Sequence, residues 1–268
     1  MKIGLKLYST DVALAPKALD LHEKGVFDYI EIYIVPFSYR KTIEIWRNMG
    51  IPYVVHAPHI AHYINLANCE LRESNMKSYR EVKEFCNSLE SPFIIVHGGS
   101  DGTIEETIAQ LKIISDNRIR LENKPMKGIG GEQCRCCSPE EFEKVYDAGV
   151  LFGTALDFGH AIYYSAYHGF DYRNVIGQFL KYSPSVFHLS DGMYSSSTDI
   201  HLNIGKGEFN IRELLSFIPQ GAMLSLETPR FSKENLDEFV NDVRFLQQIL
   251  NEADSDRGPK QIYQEGEE

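Results

Sequence analysis

Eight short β-rich runs alternate along this chain with stretches whose apolar residues recur at helical spacing. The runs are Ile3–Leu7, Tyr29–Ile34, Tyr53–His56, Phe93–His97, Arg118–Glu122, Thr154–Asp157, Ser185–Leu189 and Met223–Glu227. Ile104, Ile108, Leu111 and Ile114 mark one intervening helix, and Leu236, Phe239, Val240, Val243, Leu246 and Leu250 mark the last. In Ser138-Pro139-Glu140-Glu141, serine stands at a cap, proline at the first helical position and glutamate three residues after the cap. Ser232 is expected to open the final helix in the same way. Eight β–α units in ~250 residues are what an α/β TIM (β/α)8 barrel requires. A doubly wound sheet is the rival, but it usually needs fewer strands for one domain. No linker divides the chain. A single domain is therefore expected over residues 1–252, followed by an acidic polar tail, 253–268.

Composition narrows the classes. Apolar residues make up 43% and charged residues 24% of the chain, which excludes a disordered or fibrous protein. No apolar run approaches the roughly 20 residues needed to span a bilayer. The opening Met1-Lys2-Ile3-Gly4 has neither the long apolar stretch nor the cleavage site of a signal peptide. The expectation is a soluble, cytoplasmic monomer with no membrane partner. The formal charge of −11 does not suit a protein that grips nucleic acid through a basic surface, although acids that ligate divalent cations would offset part of it. Five cysteines, with no secretion signal, do not suggest a disulfide framework. Cys134, Cys136 and Cys137 fall one ligand short of a tetrahedral metal site. They read as a solvent-facing or packing cluster, with a regulatory disulfide as the other option.

The β-runs end in residues that bind metals. The third ends at His56, with His59 close behind. The fourth ends at His97, followed by two glycines; the fifth ends at Glu122. The sixth ends at Asp157, with His160 three residues on. The seventh carries His188, the eighth ends at Glu227, and Asp199-Ile200-His201 follows the seventh. In a barrel these ends converge on one mouth. Four carboxylates gathered there would repel one another unless cations joined them, and imidazole with carboxylate suits zinc, manganese or iron. A lone strand-end histidine is more often a hydrogen-bonded structural residue than a ligand. The conjunction at six successive strand ends favours a centre of two or three ions. Only one of His56 and His59 is needed as a ligand, and His56 is preferred because it ends the strand pattern. His62 and His168 read as loop histidines. Gly205-Lys206-Gly207 lacks the spacing of a phosphate loop and reads as a tight turn that folds Asp199 and His201 over the mouth.

This pattern resembles the endonuclease IV (apurinic endonuclease family 2) branch of the xylose-isomerase-like barrels. The resemblance is carried by Ile64-Asn65-Leu66, His97-Gly98-Gly99, Leu121-Glu122-Asn123, Asp157 with His160, His188-Leu189-Ser190-Asp191, Asp199 with His201, Gly205 and Gly207, and Leu226-Glu227-Thr228. It implies three zinc ions. The first would be held by His56 (or His59), His97 and Glu122. The second would share Glu122 and add Asp157, His188 and Glu227. The third would be held by His160, Asp199 and His201. The implied activity is hydrolysis of a phosphodiester in DNA at an abasic site, with Glu122 or Glu227 orienting the attacking water. The second run, Phe27–Ile34, is closer to the sugar isomerase and epimerase relatives. The alternative is therefore a metal-dependent isomerase or epimerase acting on a small sugar. It would use one metal on Glu122, Asp157, His188 and Glu227, with the two glutamates moving a proton.

Overall fold

In a computed structural model, which describes residues 1–255 (side chains through 252), the eight runs close into one parallel barrel. The strands are β1 Lys2–Tyr8, β2 Tyr29–Tyr33, β3 Tyr53–His56, β4 Ile94–His97, β5 Ile119–Glu122, β6 Thr154–Asp157, β7 Val186–Leu189 and β8 Met223–Leu226. Each pairs with the next, and β1 closes on β8. The helices between and after them are α1 Ala15–Glu23, α2 Tyr39–Arg47, α3 Arg72–Ser88, α4 Ile104–Ile114, α5 Pro139–Asp147, α6 Phe158–His168, α7 Tyr172–Leu180, α8 Ile211–Ser216 and α9 Asp237–Ser255. No helix among the described residues is long and apolar enough to cross a membrane.

The strands read as near-continuous apolar runs because both faces are covered. Outward residues such as Leu5, Ile30, Ile32, Val55, Ile94, Leu121, Leu156 and Leu224 pack under the helices in one large core. Inside the barrel, Tyr29, Val54, Ile95, Ala155 and Val186 form a separate apolar plug. Side chains alternate along a strand with period two. The next inward residues above the plug are therefore Glu31, His56, His97, Asp157 and His188. The site thus stands one layer above an apolar floor.

Caps set the helix starts. Ser138 Oγ accepts from Glu141 N (3.2 Å), and Asn210 Oδ1 accepts from Glu213 N at the start of α8. Ser232 behaves otherwise. Its hydroxyl accepts from Glu234 N (3.0 Å) in a local turn, Asn235 Oδ1 takes Asp237 N (3.2 Å), and α9 begins only at Asp237. A serine bonded two residues ahead closes a turn instead of capping a helix. His168 also departs from expectation: it ends α6, stacked on Phe170 (5.2 Å between ring centres), and is not a loop residue. The expected tail lies outside the described residues beyond Ser255.

Ile95 is fully buried in the plug directly below the site. Ile95→Ala is expected to cost roughly 2–5 kcal/mol, measurable by denaturant unfolding of the metal-free protein. A change below about 1 kcal/mol would contradict the view that the plug carries the layer above it.

Candidate metal centre

The ends of β3 to β7 deliver His56, His97, Glu122, Asp157 and His188, and Glu227 follows β8 by one residue. Glu122 sits between two sets of donors. Its Oε2 lies 2.9 Å from His97 Nε2 and 3.4 Å from His56 Nε2, while its Oε1 lies 3.6 Å from His188 Nδ1. One carboxylate therefore presents an oxygen to each set. The ligating atoms fall into compact groups, each within 4.8 Å: His56, His97 and Glu122; Glu122, Asp157, His188 and Glu227; and His160, Asp199 and His201. A fourth group, Glu31, His56 and Glu227, is occupied differently, as described below.

Backbone carbonyls fix the histidine tautomers. A carbonyl only accepts, so the nitrogen facing it carries the hydrogen. His56 Nδ1 donates to Ala57 O (2.8 Å), His160 Nδ1 to Asn123 O (2.8 Å) and His201 Nδ1 to Glu227 O (2.6 Å). In each ring Nε2 is left with a lone pair. His188 is held the other way round, its Nε2 donating to the Glu31 carboxylate (2.9 Å) and leaving Nδ1 free. Such outer partners orient ligating imidazoles in metal sites. The freed lone pairs face carboxylate oxygens: His201 Nε2 is 2.9 Å from Asp199 Oδ1, and His188 Nδ1 is 2.8 Å from Glu227 Oε1 without the alignment of a hydrogen bond. Asp157 Oδ2 is likewise buried without a partner. Against the effect of burial, the surrounding carboxylates raise the pKa of His188 and of His201, so His188 Nδ1 and His201 Nε2 each take up a proton when no cation is bound, and a bound cation would take that proton's place. Burial, helped by the charge of Lys124, pushes His97 down to about 3, so it is a neutral donor at ordinary pH.

The loop that carries Asp199 and His201 is wound round Asp191. That carboxylate accepts the backbone N–H groups of Gly192, Gly205, Gly207 and Phe209 at 2.8–3.1 Å. A Cβ on Gly207 would stand 2.4 Å from both Asp191 Oδ1 and the Gly192 carbonyl oxygen, so only glycine fits there. Asn123 clamps the end of β6, donating to Asp157 O (2.9 Å) and accepting from Asp157 N (2.7 Å). In His97-Gly98-Gly99, Gly98 lies against Cys136 and Gly99 takes a positive φ of 97° beside Asn65.

Nine of the ten ligand candidates come together, and His59 stays outside the three groups. Its ring stacks on His97 (4.6 Å, 12° between planes) and its Nδ1 accepts from Ala61 N (3.4 Å). His62 Nδ1 lies 2.9 Å from the Tyr33 hydroxyl. Cys134, Cys136 and Cys137 are free thiols, all buried, so the cluster packs against the loop core and does not face solvent. Burial pushes all three thiols up, which keeps them unreactive.

Sequence reasoning passed over three charged residues. Lys6 in β1 pairs with Glu227 and with Glu31 Oε1 (3.3 Å), so an ammonium stands within the fourth donor group. Burial opposes ionisation of Glu31, yet the charges of His188 and Lys6 prevail and bring it down to about 2. Tyr29 and Ser225 continue the chain, the Ser225 hydroxyl donating to Glu31. Lys124 follows Glu122 by two residues and reaches His160. Burial works against its charge, but Glu122 and Asp199 outweigh that and raise its pKa. A charged residue inside an apolar strand, as in Gly4-Leu5-Lys6-Leu7 and Ile30-Glu31-Ile32, was the available signal.

A closed parallel barrel with histidines and carboxylates converging on its C-terminal mouth defines a class of enzyme scaffold. The chain belongs to the xylose isomerase-like TIM barrel family, whose model matches residues 20–249. No curated protein matches it. Among solved structures, a D-tagatose 3-epimerase-like protein superposes with a TM-score of 0.72 at 19% identity, covering 96% of this chain and 100% of the other. Endonuclease IV from Thermus thermophilus gives 0.67 at 20% identity, over 94% and 100%. A further protein from that organism, soaked with zinc chloride, gives 0.65 at 20%, over 94% and 99%. At these identities the likeness establishes the fold and leaves the reaction open.

Glu31→Ala would remove the acceptor of His188 Nε2–H and the partner of Lys6. Zinc affinity is expected to fall roughly 10–100-fold in a competitive chelator titration, with a lower melting temperature. Unchanged affinity would mean that Glu31 does not orient His188.

Proposed function

We propose that this protein is a metal-dependent phosphodiester hydrolase of the endonuclease IV kind, acting on DNA at abasic sites. The observation that carries the reading is the third donor group, His160, Asp199 and His201, standing beside the two groups that share Glu122. An isomerase with one metal has no use for it. Zinc is the proposed ion, with up to three seats; manganese and iron share its ligand preferences.

Divalent ions bound there would supply positive charge against a phosphate and lower the pKa of a water held between them. The residues do the rest. Glu122 holds the two sets at fixed spacing through its separate oxygens, and Glu227 is placed to orient the water and take its proton. Against the effect of burial, His188 and then Lys6 hold that carboxylate ionised, well below the usual carboxylate range, so it is charged and able to orient the water. The water oxygen bonds to phosphorus as the bond to the 3′ oxygen breaks, and the departing oxygen takes up a proton. His188, locked by Glu31, keeps its lone pair directed at the shared metal position.

A second reading is favoured by one observation. Glu31 is completely buried in β2, in the strand whose sequence is nearest the sugar-processing relatives. The fold likeness to the epimerase-like structure is consistent with it. On that reading Glu122 and Glu227 shuttle a proton on a ketose, and His97, Asp199 and His201 have no task.

The metal-loaded protein is expected to nick a duplex carrying an abasic site. Chelation should stop the reaction, and added salt should slow it steeply, because phosphate contacts release counterions. Intact DNA together with conversion of a ketose would replace this reading with the second. His188→Ala is expected to abolish turnover on either reading, and full activity in that variant would dismiss both.

A further inference from the structure

Lys124 stands at the third donor group in the manner of a cation. Its side chain is largely buried, with 13% of its surface exposed. Its Nζ lies 3.1 Å from His160 Nε2 and 3.9 Å from Glu122 Oε1, and Asp199 Oδ2 lies 3.2 Å from the same His160 nitrogen. His160 Nδ1 is committed to the Asn123 carbonyl, so Nε2 bears the only lone pair the ring can offer. The lysine can only donate, so in the neutral ring it bonds to that lone pair, while, against the effect of burial, Asp157 and Asp199 favour the protonated ring. A metal bound by His160 would need the same lone pair at about 2.0–2.1 Å. The two occupants therefore exclude each other, and like charges reinforce the exclusion. In the second group Lys6 pairs with the Glu227 carboxylate, not with an imidazole, and Asp157 Oδ2 and His188 Nδ1 make no hydrogen bond.

We propose that Lys124 is the resident cation of the His160, Asp199 and His201 group, so that the centre holds two divalent ions and one ammonium instead of three metals. The inference rests on the metal-dependent reading above and changes one part of it. The positive charge facing the leaving oxygen comes from a side chain, which carries a transferable proton as well as charge. As the bond from phosphorus to the leaving oxygen breaks, an Nζ–H proton passes to that oxygen, and the neutral amine regains a proton from solvent. A lysine here also makes the third charge independent of metal supply.

The test is metal content of the purified full chain after dialysis against zinc, by elemental analysis, with circular dichroism to establish folding. The intact protein is expected to hold two ions. Lys124→Ala should hold one more, and Lys124→Thr serves if the alanine variant does not fold. Adding His201→Ala to either should return the count to two, which places the gained ion in the third group. Lys124→Arg, which keeps the charge, should gain none. Three ions in the intact protein, or no gain on removing the lysine, would overturn the proposal while leaving the metal centre standing. No bound ion in any of these proteins would bring down the metal-dependent reading itself.

Discussion

Glu122 is a buried carboxylate at the focus of five other ionisable groups, and the rest of the mouth is arranged around the cost of that placement. A charge taken out of water is tolerated only when it is paired and hydrogen-bonded. Its two oxygens look in different directions, one toward His56 and His97, the other toward His188 and His160. The imidazoles are in turn fixed by groups that cannot adapt: carbonyl oxygens of the strand ends and loops, and the buried carboxylate of Glu31. Backbone carbonyls thus decide which nitrogen of His56, His160 and His201 is available, and the Glu31 side chain decides it for His188. Any metal affinity of these groups would depend on strand geometry as much as on residue type.

Much of the barrel could be read in advance because a parallel strand covered on both faces must be apolar, and eight such runs stand out against helical spacing. Tyr53–His56 and Thr154–Asp157 coincide with the strands observed, the first strand is a residue longer at both ends, and the others differ by a residue at one end. The candidate ligands at the strand ends were legible for the same reason: a polar residue closing an apolar run is conspicuous. Lys6 and Glu31 were not, because each lies inside a run and its role appears only when β1, β2, β7 and β8 are brought face to face. Lys124 carried no meaning in the sequence, because only the fold brings His160 of α6 opposite it. His56 and His59 could be ranked, and their separation came from the turn after β3, which stacks His59 on His97. Ser232 was misjudged because a serine acceptor serves a turn and a helix start equally well, and only the bond it makes distinguishes them.

The lysines and glutamates around the mouth also bear on how one scaffold accommodates different chemistries. The donor group built from Glu122, Asp157, His188 and Glu227 is common to both proposed readings. What differs is the surrounding charge. Lys6 and Glu31 form a neutralising pair on one side of the centre, and Lys124 faces the other. Small changes of charge in the layer above the plug can therefore redirect the mouth without disturbing the fold beneath.

The Asp191 carboxylate, holding four backbone N–H groups, divides its loop into two mechanically distinct parts. The base, including Leu202 paired with Asp191 and the glycine turn, is anchored to the barrel. The tip, residues 193–198, is partly exposed and is tied back by Tyr194, bonded to Glu208 and Asn210, and by Thr198 beside Lys127. Insertions or replacements at the tip can then accumulate over evolutionary time while Asp199 and His201 stay anchored at its base. The chemistry displayed at the tip and the placement of the donor side chains become separable traits of a single loop.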